Sequence, residues 1–273
     1  FSFAKLWKKK FKKRFQFFQS RFSQIDKVLK EEADTVILDL GLSSIQLNNL
    51  DRGFSFKSKN KLDMTMGLTE KSAQDVINNL PESELMLIIK ILGEEKDAKK
   101  IARNIAKARI KKKITKVNEL VDIIESSKKR NYSTKINPST KTFQALRIFV
   151  NKEITELING IISAAKILKP GGKIVIVSFH SIEDKIIKYF FTNFSKNKSK
   201  PSRYFPEIKN SDSELFEKYI NKVIKPSKHE LEKNNPSRSA KLRYAIRSKN
   251  KFIYPDGLIQ KFSKYLKLEA INV

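Results

Sequence analysis

Cysteine is absent from this 273-residue chain, and histidine occurs only twice, at His180 and His229. These shortages exclude a thiolate zinc site, an iron–sulfur cluster and a disulfide scaffold, and no metal is expected. Glycine is scarce as well. Its eight positions, 41, 53, 67, 93, 160, 171, 172 and 257, form neither a G-x-G-x-x-G fingerprint nor a P-loop. No run of eighteen apolar residues occurs, so nothing reads as a membrane-spanning helix. Acidic residues are few, 29 against 57 Lys plus Arg, for a net charge of +28. At 40% hydrophobic the chain can still bury a core. The remaining class is a basic globular protein of cytoplasmic type.

The charge has two readings. Lysine supplies 46 of the cations and arginine 11, a skew that A·T-rich residue usage produces without functional demand. Clustered cations also gain affinity for polyanions by releasing counterions from phosphates, which points to a nucleic-acid partner. The opening stretch FSFAKLWKKKFKKRFQFF begins at Phe1 and is basic and aromatic. It reads as a targeting helix, an RNA-contacting arm, or the start of a fragment.

Residues 35–40 (TVILDL) form an apolar run without alternation, as in a strand buried on both faces. Residues 173–179 (KIVIVSF) repeat the design after a turn at Lys169–Gly172. Helical spacing runs from Phe143 to Leu168, and Ser181 is expected to cap a helix through Phe191 with Glu183 and Asp184 in its first turn. The alternating stretch 241–247 (KLRYAIR) reads as a strand at the sheet edge. The fold class is therefore α/β with a mostly parallel sheet. Between the strands, Ser72 to Ser127 is helical throughout, an inserted all-helical subdomain. The polar, Pro-bearing segment 195–236 reads as a surface excursion.

Five stretches stand together in order: DLGLSSIQLNNLDRGFSFKSKNKLDMTM (39–66), GEEKDAKKIARNI (93–105), TKTFQALRIFVNKEITEL (140–157), LKPGGKIVIVSFHSIEDKIIKYFF (168–191) and NPSRSAKLRYAIR (235–247). Together they closely resemble the RsmH (MraW) family of bacterial ribosomal RNA methyltransferases. The resemblance covers about Phe15 to Arg247. The long D-L-G to L-D-M signature and S-F-H-S-I-E-D are highly specific. Three positions depart from the family signature: Thr65 and Lys141 replace Arg, and Ile45 replaces Pro. Lys141 keeps a point charge but loses the bidentate fork suited to phosphate.

The resemblance implies a class I (Rossmann-like) S-adenosylmethionine-dependent methyltransferase core. It divides into a first part at 1–69, a helical RNA-recognition insertion at 70–139 and a second part at 140–273. The family's opening strand, G-G-H turn and second strand are not matched, so the core is expected to be N-terminally truncated. Residues 15–20 (FQFFQS) would be its third strand, TVILDL would pair on one side with the 173–179 strand, and the chain alone would bind the cofactor weakly or be inactive.

The implied reaction is N4-methylation of a cytidine in the decoding centre of 16S ribosomal RNA, with the small-subunit RNA or 30S subunit as partner. An aryl amine is a poor nucleophile, so an acceptor must localise its lone pair. A carboxylate at a strand's C-terminal end is well placed for this. Asp39 is that residue, with Asp63 and His180 as further catalytic candidates on the same rim. The resemblance assigns the cofactor to Phe22, Asp39 and Gln46; Arg52, Lys141, Arg147, Arg238, Lys241 and Arg243 are candidates for RNA phosphates, each of which also reads as a solvated surface charge. Lys99, Lys100, Arg103, Lys107 and Arg109 would make the helical block an RNA-facing lid. Ser178 and Ser181 form no hydrolase triad with His180. Two other classes stay open: a DNA amino-methyltransferase, disfavoured because Asp39-Leu40-Gly41 stands where a D-P-P-Y-type motif is expected, and a non-catalytic RNA-binding or ribosome-associated protein.

Overall fold

The computed structural model describes residues 2–67, 71–128, 137–196 and 214–273. The chain opens with α1 (Ser2–Phe11), whose Phe3, Leu6 and Trp7 are exposed. A short helix α2 (Ile25–Val28) leads into β1 (Ala33–Asp39), and α3 (Ser44–Asn48) follows. The helical stretch is α4 (Ala73–Asn79), α5 (Glu82–Leu92), α6 (Ala98–Lys111) and α7 (Val117–Ser127). Then come α8 (Thr140–Asn151), α9 (Glu153–Ile167), β2 (Leu168–Ser178) and α10 (Ser181–Asn193). The chain finishes with β3 (Phe216–Tyr219), α11 (Lys228–Lys233), β4 (Lys241–Arg247) and α12 (Asp256–Glu269).

The strand order is β1-β2-β4-β3. β1 pairs parallel with β2, with Asp39 opposite Val177, as expected from the two apolar runs. β4 is antiparallel to both β2 and β3, so it runs against the other three strands. It is not the edge strand the sequence suggested. That place belongs to β3, which lies in the stretch read as a surface excursion; residues 197–213 of that stretch lie outside the described residues. β3 escapes a periodicity search because it is four residues long and its register slips between Phe216 and Lys218.

Three further expectations change. β1 is buried on one face only: Val36 and Leu38 are in the core, whereas Ile37 is 69% exposed because a cleft opens on its side of the sheet. Residues 15–20 form no strand, since β1's only ladder among the described residues is with β2. The helical spacing from Phe143 to Leu168 is two helices, broken at Lys152, which takes a left-handed conformation with φ 51°.

One continuous core joins the sheet to the helices. Ile174 and Ile176 of β2, Ile186 and Phe190 of α10, Leu157 and Ile161 of α9, and Leu85 and Ile88 of α5 are all shielded from water. Burial of such side chains contributes about 1.5–3 kcal/mol each. The α4–α7 helices join this core through α5 and α4 against α8.

Candidate active site

The parallel strands β1 and β2 end on one rim, where ligands sit in open α/β sheets. There a cleft of about 450 Å³ opens. Its walls are residues 20–22, Ile37 to Gly41, Met66, Asn151, Glu153, Glu156, Leu157 and Glu183. Gly41, at φ 89°, turns the chain away just after Asp39 in a conformation that side chains resist.

Phe22 is held by the packing of the 20–28 segment on α9. Ser163 donates to the Ser23 carbonyl at 2.9 Å, and Lys166 pairs with Asp26 at 2.9 Å. The Phe22 ring lies directly over Gly160, where a Cβ would stand 2.3 Å from its Cε2. Arg21 beside it pairs with Glu156 at 2.8 Å.

The opposite wall is an ion network. Arg147 donates from Nε and Nη2 to the two oxygens of Glu153, at 2.8 and 2.9 Å. Both side chains are largely withdrawn from water, 17% and 12% exposed. Glu183 is buried deeper and accepts from the Phe179 amide at 2.9 Å and the His180 amide at 3.3 Å. Burial pushes its carboxyl up, but His180, the Phe179 amide and Arg147 outweigh this and hold it below the usual carboxylate range. Asn151 ties the 64–66 loop to the end of α8, donating to the Met64 carbonyl and accepting from the Met66 amide, both at 2.8 Å.

Of the candidates for cofactor and chemistry, Phe22 and Asp39 meet in the cleft. Gln46 does not line it: its carbonyl oxygen accepts from the Ser43 amide at 2.9 Å, closing a capping box on α3. Asp63 accepts from the Thr65 amide at 3.1 Å and shapes the loop that carries Met66. His180 sits behind Glu183, 8% exposed, and it caps α10 in place of Ser181. Its Nε2 is 3.2 Å from Glu183 Oε1, yet off line for a hydrogen bond. Glu153, His180 and Glu183 are near enough to share a cation, but Arg147 already takes both Glu153 oxygens and supplies the positive charge.

The RNA candidates divide. Arg147 is committed to Glu153 in the cleft wall. Arg243, 6% exposed, donates to Asp184, Tyr219 and the Asn221 carbonyl. Neither guanidinium reaches a phosphate from there, because each is withdrawn from the surface and paired. Lys241 shares Asp184 at 3.0 Å and is half-buried. Arg52 donates to the Thr65 carbonyl and lies over the Phe54 ring. Lys141, bonded to the Glu94 carbonyl, and Arg238 stand in water. On α6, Lys99, Lys100, Arg103 and Lys107 are exposed, whereas Arg109 reaches back to the Ile77 carbonyl.

Sequence reasoning missed Asn151, Glu153, Glu156 and Glu183 as cleft residues. Each lies inside a quoted motif, but only the break at Lys152 turns Glu153 and Glu156 toward the cleft.

A β4 inserted antiparallel beside parallel strands, with an acidic cleft at their C-terminal ends, defines a class I methyltransferase. The comparisons with known proteins agree. The MraW methylase family matches residues 1–248, and the chain belongs to that family; it is an enzyme, a methyltransferase. It is 43% identical over 257 residues to the ribosomal RNA small subunit methyltransferase H of Bartonella henselae, covering 94% of this chain and 74% of that protein. The protein of that name from Bartonella grahamii is 44% identical over 243 residues, covering 89% and 73%. That from Brucella ovis is 39% identical over 248 residues, covering 89% and 71%. No helix among the described residues is long and apolar enough to cross a membrane.

Proposed function

We propose that this enzyme methylates the exocyclic N4 of a cytidine in the decoding centre of small-subunit ribosomal RNA, in the cytoplasm, with S-adenosylmethionine as donor. The observation that carries the reading is Asp39 at the end of β1, facing a cleft whose other wall holds the Phe22 ring. The cleft's size is in the range of small-ligand sites. Its donor set suits the cofactor: an aromatic ring for a purine, and the carboxylates of Asp39 and Glu183 for a cationic centre. When bound, S-adenosylmethionine supplies an electrophilic methyl group on a positively charged sulfur.

Asp39 accepts a hydrogen bond from the cytidine amine, which localises its lone pair and receives the departing proton. Glu183, kept ionised by its neighbours, raises the negative potential of the cleft floor. His180 acts by fixing Glu183, and Asp63 and Gln46 act by shaping the loops at the rim. The base must enter from unpaired or opened RNA. Lys141, Arg238, Lys241 and the α6 stripe meet phosphate, and the 70–139 block is the RNA-recognition unit of a core formed by 1–69 and 140–273.

Incubation with 30S subunits and labelled S-adenosylmethionine, followed by nucleoside mass spectrometry, tests this. N4-methylcytidine is expected, falling at least 100-fold with Asp39→Asn. Another methylated nucleoside would overturn the base assignment, and an unchanged rate in Asp39→Asn would remove Asp39 from the mechanism.

A further inference from the structure

Helix α9 begins without a cap of its own. Lys152 precedes it in a left-handed conformation, and its side chain accepts nothing from the first turn. The leading amides of a helix have no intrahelical acceptor, so they need one from elsewhere. The acceptor comes from 115 residues away. Glu269, on the last turn of α12, accepts from the Ile154 amide at 2.9 Å through Oε1. Its Oε2 accepts from the Thr155 amide at 2.8 Å and the Thr155 hydroxyl at 2.6 Å.

This carboxylate is 1% exposed, so the contact is built into the core and is not a surface accident. The helix that carries it is fixed independently. Leu258 and Phe262 are buried, and Phe262 packs edge-on against Tyr189 of α10 at 5.4 Å between ring centres. A carboxylate at a helix N-terminus also meets the positive end of the helix dipole. The turn it holds is the one that faces the cleft. Glu153 precedes the capped amides and binds Arg147, and Glu156 follows them and binds Arg21.

We propose that Glu269 is a positioning residue: from the C-terminal helix it caps the broken start of α9 and so sets where Glu153 and Glu156 stand in the cofactor cleft. This rests on the reading of the cleft as the S-adenosylmethionine site. Removing the cap frees the first turn to fray, and the two carboxylates lose their fixed places while the rest of α9 stays packed.

The test compares Glu269→Gln, which puts an amide nitrogen where donors converge, with Phe262→Leu, which loosens the same helix without touching the cap. Thr155→Val, removing one of the three donors, serves as the milder second variant. Two readouts are taken at pH 8, where Glu269 is ionised, on the full chain well below its melting temperature: amide hydrogen exchange across residues 150–160, and S-adenosylmethionine affinity by calorimetry. Glu269→Gln is expected to speed exchange at Ile154 and Thr155 at least tenfold and to weaken affinity about tenfold, with Thr155→Val intermediate in both. Phe262→Leu is expected to lower the melting temperature while leaving both within twofold. Unchanged exchange in Glu269→Gln, or an equal loss of affinity in Phe262→Leu, would overturn the proposal. If the wild-type chain binds no S-adenosylmethionine, the cofactor reading fails, and the exchange comparison still decides whether the cap exists.

Discussion

Replacing Arg147 by Met removes the counter-charge of Glu153 and nothing else of comparable size. The guanidinium meets both oxygens of Glu153, and the pair is 17% and 12% exposed. Methionine fills much of the stem volume, so the transfer term is small. What remains is a Glu153 carboxylate withdrawn from water without a counter-charge, close to Glu183. Breaking a buried pair in this way costs about 3–5 kcal/mol. A domain's whole stability is only about 5–15 kcal/mol, so the variant should melt roughly 10 °C lower. Arg147→Met with Glu153→Gln removes the stranded charge and should recover most of the stability. Thermal and urea melts of the wild type, both single variants and the double variant measure all of this. A loss under about 1 kcal/mol, or no recovery in the double variant, would mean that the pair behaves as a solvated surface contact, and the argument for a buried network would be wrong.

Three other outcomes are expected. Gly160→Ala gains about 1 kcal/mol of helix propensity but drives a methyl group into the Phe22 ring, so stability should barely change while cofactor affinity falls at least tenfold; calorimetry showing unchanged affinity would remove Phe22 from the site. Burial pushes the Glu269 carboxyl up to about 7, against the three donors that hold it down, with Glu153 adding to the rise. The folded chain then holds an extra proton between the ordinary carboxylate range and pH 7, so stability declines as pH rises through that window, by up to about 3 kcal/mol. Glu269→Gln should flatten that slope, and denaturant titrations with the same slope in both proteins would contradict the assignment. Lys141→Glu should weaken small-subunit RNA binding and lower the salt dependence by about one unit of slope; filter binding across salt concentrations with an unaltered slope would leave Lys141 bonded to Glu94 and without a role at the RNA.

Short-range chemistry was legible from the residues alone. The apolar runs of β1 and β2, the Pro-Gly-Gly turn before KIVIVSF and the periodic helices between Ser72 and Ser127 each carry their own signal within a dozen positions. The placement of Asp39 followed from one of them, since a strand's end is also the sheet's rim. Only the tertiary structure decided what depends on distant partners. Arg147 and Arg243 stand in basic motifs that suit phosphate, but Glu153 and Asp184 reach them first. The break at Lys152 has no local cause, because its cap arrives with α12. β3 is too short and irregular to announce itself, and β4 lies inside the sheet because β3 takes the edge. A pattern in the chain reports which residues share a face; which charge neutralises which, and where a helix can stop, is settled only when elements far apart in sequence are packed together.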